Sequence, residues 1–246
     1  MKESIAVQTN ELTRNFGKFI AVNKVSINVY QGEIFGFLGA NGAGKTTMIR
    51  MLCGLLMPSS GTGSVAGFDI YKQSEQIKHN IGYMSQKFSL YDDLTIAENI
   101  EFYGGIYNLT DDVIRQRKEE LIGDVGLGDV ANQLTRDLPL GFKQRLALGC
   151  SLLHDPAILF LDEPTSGVDP VARRAFWDLI YDTAAKGKTI FVTTHFMDEA
   201  EYCHRLSIMR DGNIIALGAP RELRMEYNKD TMQDVFISIA AVNEEN

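Results

Sequence analysis

The chain has 246 residues, 45% of them hydrophobic and 23% charged, which describes a globular protein of one large or two small domains with a sizeable core. Its formal net charge of -8 argues against a sequence-independent grip on nucleic acid, and no apolar run approaches the ~20 residues that span a bilayer. Three scattered cysteines, Cys53, Cys150 and Cys203, make neither a disulfide framework nor a CxxC metal site and fit a reducing cytoplasm. The first residues, MKESIAVQTN, lack the apolar stretch of a signal peptide, and strand-like segments follow at 5–13, 25–29 and 33–38, rich in β-branched and aromatic residues. A glycine-rich turn comes after the third, and a helical pattern starts near Lys45.

Residues 94–153 change character, with helical periodicity and interleaved charges. Thr95 and Glu98 form a T-x-x-E capping box ahead of Ile100 and Phe102. From Pro156 the chain alternates again: a strand at 157–161, a helix from about Pro170, a strand at 189–193, a helix, and a strand at 206–209. Asp169 is the expected N-cap of the helix that Pro170 begins. The pattern predicts an α/β fold of parallel strands interrupted by a helical insertion of about sixty residues. There is no internal repeat and no low-complexity linker, so each motif occurs once. The tail after Met225 is partly helical by pattern and suggests no role.

Two stretches carry the chemistry. GANGAGKTT, residues 39–47, matches G-x-x-x-x-G-K-[ST] through Gly39, Gly44, Lys45 and Thr46, between an apolar strand and a helical run. Such a loop, here with Asn41, Gly42, Ala43 and Thr47, turns backbone N–H groups toward phosphate oxygens, and the new helix adds its N-terminal partial charge. Lys45 supplies a full charge for β/γ-phosphates and Thr46 a hydroxyl for Mg²⁺. In AILFLDEPTSGVDP an apolar strand ends in Asp162 and Glu163, at the strand terminus where open α/β sheets bind ligands. Asp162 suits the Mg²⁺ shell, and Glu163 can orient or deprotonate an attacking water. The conjunction reads as an ATPase or GTPase.

With those residues in hand, the chain resembles the ATP-binding subunit of an ABC transporter over residues 5 to about 225. The resemblance implies a P-loop NTPase: a RecA-like core (1–86 and 156–225) with an N-terminal antiparallel β subdomain and an inserted helical subdomain (about 87–155), followed by the tail 226–246. It also implies residue roles. Gln86 resembles the glutamine that senses Mg²⁺ and water, and His195 in FVTTHFMDEA the switch histidine at the γ-phosphate. Ser166, Gly167, Val168 and Asp169 resemble the D-loop that crosses to the opposite monomer. Phe16 matches the aromatic that stacks on adenine, with a core residue at a strand end as the lesser alternative. Phe88, Leu90 and Tyr91 are the best candidates for a permease-facing surface.

The signature turn of the family, L-S-G-G-Q, corresponds to Leu138, Pro139, Leu140, Gly141 and Phe142. Pro139 has neither a hydroxyl nor an N–H, and Leu140 adds bulk where glycine permits close approach. Leu140 and Gly141 keep their N–H groups at a helix start, so the turn reads as modified but working. The implied machine is a pair of nucleotide-binding domains, identical or unlike, closing on two ATP molecules and driving an integral membrane permease. It would be an exporter of the multidrug, lipid or polysaccharide branch, with this chain peripheral on the cytoplasmic face of the membrane. The rival readings are a soluble ABC ATPase acting on ribosomes or DNA, and a nucleotide sensor with little turnover. No coiled coil or second ATPase domain speaks for the first; the altered turn keeps the second open.

Overall fold

The structure is a computed structural model that describes residues 4–241. Two long strands open the chain, β1 (Ile5–Phe16) and β2 (Phe19–Tyr30), paired as an antiparallel hairpin whose tip brings Phe16 opposite Phe19. Both run beyond the segments at 5–13 and 25–29, because the polar residues near the tip still pair across the hairpin. β3 (Ile34–Leu38) follows, then helix α1 (Lys45–Leu52), β4 (Ser60–Val65), β5 (Phe68–Asp69), helix α2 (Ser74–Asn80) and β6 (Ile81–Met84). β4 lies on the other side of β1, so the hairpin becomes a four-stranded antiparallel sheet ordered β2-β1-β4-β5.

The insertion comprises α3 (Ile96–Ile106), α4 (Asp111–Asp124), two short 3-10 turns at Gly128–Val130 and Thr135–Asp137, and α5 (Leu140–Leu152). The capping box forms as expected: Glu98 N–H donates to Thr95 Oγ1 at 3.2 Å, and Thr95 N–H to Glu98 Oε2 at 2.8 Å. Pro139 stands one residue before α5, at its N-cap with φ -55° and ψ 152°, rather than inside the first turn.

The chain then returns to the main sheet through β7 (Ile158–Asp162), α6 (Pro170–Ala185), β8 (Thr189–Thr194), α7 (Met197–Ala200), β9 (Arg205–Arg210) and β10 (Asn213–Gly218). Asp169 caps α6, its Oδ1 accepting from Val171 and Ala172 N–H, both at 3.0 Å. The sheet order is β10-β9-β3-β8-β7-β6, parallel except for the β10 edge. Helices α8 (Pro220–Glu226) and α9 (Met232–Ala241) are the last elements among the described residues.

β3, β7 and β8 are buried along their whole length, because both faces of the sheet are covered. Alternation sends Phe35, Phe37, Phe160 and Phe191 toward α1 and the antiparallel sheet. Ile34, Leu38, Leu159, Leu161, Ile190 and Val192 face Phe176, Trp177 and Ile180 of α6. Met232, Val235 and Ile239 of α9 join this second core, so the tail helix packs into the domain. The insertion has its own small core, including Ile96, Ile100, Leu121 and Leu146. Of the three residues expected at a permease surface, Phe88 and Leu90 pack inward, whereas Tyr91 is exposed with its ring edge-on to Phe102 at 4.4 Å.

Candidate functional site

The parallel sheet delivers its functional residues at the carboxyl ends of β3, β7 and β8, which are adjacent strands. After β3 the loop must turn sharply under two obstacles. A Cβ at Gly39 would stand 2.4 Å from Met209 O, and one at Gly44 would stand 2.3 Å from Ala21 O. Gly44 also has φ 108°, which a side chain would strain, and it serves as the N-cap of α1. Only glycine fits both positions, so the loop stays tight and α1 begins at Lys45.

Lys45 is 4% exposed and saturated with partners. Its Nζ donates to Gly39 O at 2.8 Å and Ala40 O at 3.1 Å, and pairs with Glu163 Oε1 at 3.1 Å. Thr46 Oγ1 donates to Asp162 Oδ1 at 3.1 Å, and Thr193 Oγ1 donates to the same oxygen at 2.8 Å. Burial pushes the Asp162 carboxyl above the usual aspartate range; the Thr193 and Thr46 hydrogen bonds oppose this and the neighbouring Glu163 charge adds to it.

Glu163 is the centre of the arrangement. It has φ 48°, rare for a residue with a side chain, and its N–H donates to Thr193 Oγ1 at 2.9 Å. One carboxylate oxygen faces Lys45. The other, Oε2, accepts from Gln86 Nε2 at 3.1 Å and meets His195 Nδ1 at 3.2 Å. Three residues spread over 150 positions of sequence, Lys45, Gln86 and His195, thus converge on the single carboxylate of Glu163.

An open cleft of about 450 Å³ lies over this cluster, lined by Phe16, Asn41, Gly42, Gly44, Lys45, Thr46, Thr47, Gln86 and Glu163. Phe16 is exposed at its rim, with the Arg14 guanidinium 4.6 Å from its ring centre. Phe19 and Ala21 line it too; neither belongs to a motif, and their signal in the sequence is a second aromatic three residues after Phe16, across the hairpin tip. Gly39 and Ala43 do not line the cleft. Ala43 is 6% exposed and packs in the first core, so only its backbone can serve the loop.

The signature-turn residues 138–142 do not line the cleft of their own chain either. They abut the loop 166–169 instead: a Cβ on Gly167 would lie 3.4 Å from Leu140 Cδ2, and one on Gly141 would lie 3.1 Å from Ala172 Cβ. Leu138 is buried, Leu140 is 41% exposed, and Phe142 carries Arg145 over its ring at 5.6 Å. Farther along α5, the buried Gln144 side chain donates to Pro164 O, tying the insertion to the segment just after Glu163. Ser166 is half-buried and Val168 buried, leaving Gly167 and Asp169 at the surface.

A parallel sheet with a glycine-bounded phosphate loop entering a helix, and a carboxylate pair on the neighbouring strand end, defines a P-loop NTPase fold. A family model for ABC transporters matches residues 22–166. The chain belongs to the ABC transporter family and forms an ATP-binding domain of it. It is 48% identical over 238 residues to the probable multidrug ABC transporter ATP-binding protein YbhF of Escherichia coli, covering 95% of this chain and 41% of that one. The chain therefore spans about two fifths of that relative's length. It is 35% identical over 239 residues to the linearmycin resistance ATP-binding protein LnrL of Bacillus subtilis, covering 97% of this chain and 76% of that one. A solved ATP-binding cassette described as dimeric, in a post-hydrolysis state and bound to ADP and Pi, superposes with a TM-score of 0.77 at 25% identity, over 87% of this chain and 98% of that one.

Proposed function

We propose that this chain hydrolyses MgATP as one of two paired nucleotide-binding domains, and that closure of the pair works a membrane permease. The observation that carries the reading is the convergence of Lys45, Gln86 and His195 on the Glu163 carboxylate, beside the Thr46–Asp162 hydrogen bond. The cleft fits the nucleotide: an aromatic at the rim for the base, a glycine loop and helix start for the phosphates, and a buried ammonium behind them. Mg²⁺ fits the hard oxygen donors of Thr46 and Asp162. When bound, the ion neutralises charge on the transferring phosphoryl group.

Nucleotide phosphates would compete with Glu163 for Lys45. Two opposite charges 3.1 Å apart and both nearly buried hold each other in place. A polyphosphate, with more charge and more oxygens, takes over the ammonium and frees the carboxylate to accept a proton from water. Gln86 and His195 then bracket that water from the Oε2 side. His195 is held against the Phe196 ring, 4.2 Å between centres.

The pairing rests on the residues that the chain's own cleft leaves unused. The turn 138–142 and the loop 166–169 make one continuous edge, suited to the ATP of a facing domain. Pro139 and Leu140 weaken that contribution while the chain's own hydrolytic set is complete. This suits a pair of unlike domains as well as a homodimer. Among the described residues no helix is long and apolar enough to cross a membrane, so the permease would be a separate segment or chain, with this domain on the cytoplasmic face. Multidrug export is the direction that YbhF suggests by its name. Phosphate release with and without Mg²⁺, together with copurification of an integral membrane protein, tests the reading. Metal-independent or absent turnover, or no membrane partner, would contradict it.

A further inference from the structure

Glu199 is completely buried in the four-residue helix α7, and nothing in the hydrolytic set just described uses it. A buried carboxylate is costly unless every lone pair finds a donor. Here both oxygens do. Thr165 Oγ1 donates to Oε1 at 2.5 Å and Thr194 Oγ1 to Oε2 at 2.5 Å. Arg173 Nε of α6 approaches Oε1 at 3.7 Å and offsets the charge. The two threonines are the residues just before Ser166, where the exposed loop begins, and just before His195.

We infer that Glu199 is a positioning residue that fastens the His195 turn to the entry of the 166–169 loop and so sets the hydrolytic geometry at Glu163. The inference rests on the proposed role of the Glu163 cluster. The directions of the hydrogen bonds are forced. A carboxylate only accepts, so both hydroxyls must donate to it. Thr194 Oγ1 also accepts the Phe196 N–H at 3.0 Å, which fixes the backbone on both sides of His195. Arg173 closes the ring from outside: its guanidinium lies 3.8 Å over Phe196, whose ring rests against His195. On the other arm, Thr165 holds the chain between Pro164, which receives Gln144 from the signature helix, and Ser166. One carboxylate therefore links the histidine that contacts Glu163 to the edge expected to meet a facing domain. Displacement of that edge would reach His195 through these two hydrogen bonds.

Glu199→Gln keeps the volume but not the pattern. Its amide oxygen can serve one threonine; its NH₂ must face the other, whose hydroxyl then has to accept instead of donate and turn its hydrogen elsewhere. In the complex in which the chain turns over ATP, we expect Glu199→Gln to lower kcat about ten- to a hundredfold while the KM for MgATP stays within about twofold. Thr165→Val should behave alike, and Thr165→Ser should recover most of that loss, because it restores the donor and not the methyl. The Thr165 pair decides the matter if Glu199→Gln does not fold. Glu163→Gln in parallel separates the two levels. If it is inactive while Glu199→Gln and Thr165→Val keep the wild-type kcat, the fastening is refuted and the site stands. Equal losses in Thr165→Val and Thr165→Ser would make the contact mere packing, and likewise refute it. Wild-type turnover by Glu163→Gln would remove the site reading and this inference with it.

Discussion

Restoring a serine and a glycine to the turn at 139–140 should tighten ATP-dependent pairing without making the single domain much more stable. Pro139 is exposed at the N-cap of α5 with φ -55° and ψ 152°, and it offers no side-chain acceptor to the first turn. Those angles suit serine, and a serine cap adds about 1 kcal/mol to the helix. Leu140→Gly works the other way. It costs about 1 kcal/mol in helix propensity and removes the side chain that lies against Gly167. The two intrinsic effects nearly offset each other, so what remains is the contact with a facing nucleotide. A hydroxyl donating to a charged phosphate, with closer backbone N–H approach, is worth up to about 1–3 kcal/mol, or roughly 5- to 150-fold in the pairing constant. Sedimentation of Pro139→Ser/Leu140→Gly in a Glu163→Gln background, with and without ATP, measures it. The gain should appear only with ATP. No gain, a loss, or an equal gain without nucleotide would mean that the turn does not reach a neighbour's phosphates.

The remaining predictions concern the single domain. Lys45→Ala should weaken ATP binding and also lower thermal stability, since Glu163, 7% exposed, would lose its buried counter-charge; unchanged ATP affinity in a titration would remove Lys45 from the site. Thr46→Val should impair MgATP binding more than binding of metal-free ATP, and an equal loss in both titrations would point to misfolding instead. Thr95→Ala should cost about 1 kcal/mol in denaturant unfolding by removing the Oγ1 that accepts the Glu98 N–H, while the backbone half of the capping box remains, with little effect on nucleotide affinity.

Much of this site is legible in the sequence because its physics is local. A fully buried strand, glycines that turn, and a lysine at a helix start are neighbours in the chain, and they reappear together in space. Asp169 with Pro170, and Thr95 with Glu98, are equally short-range signals. What escaped reading depends on remote partners. β4, SGTGSV, has no apolar alternation and exists because β1 supplies its hydrogen bonds. β10 is an antiparallel edge, half-exposed and weakly patterned. Glu199 looks like any acidic residue of a surface helix until Thr165 and Thr194 close around it. Phe88 and Leu90 lie beside the exposed Tyr91 in sequence, and only packing separates them. The value of Pro139 depends on a neighbour's nucleotide, and no pattern within one chain displays that.

The central claim is that Glu163 accepts the proton of the attacking water once nucleotide draws Lys45 away. Steady-state phosphate release and ATP affinity, measured side by side on Glu163→Gln, test it most directly. The amide cannot accept that proton, so turnover should fall by about 10²–10⁴-fold. ATP should bind at least as tightly as to the wild type, because Lys45 no longer has to leave an ion pair at 3.1 Å. Turnover at the wild-type rate, or a parallel loss of ATP binding, would contradict the account.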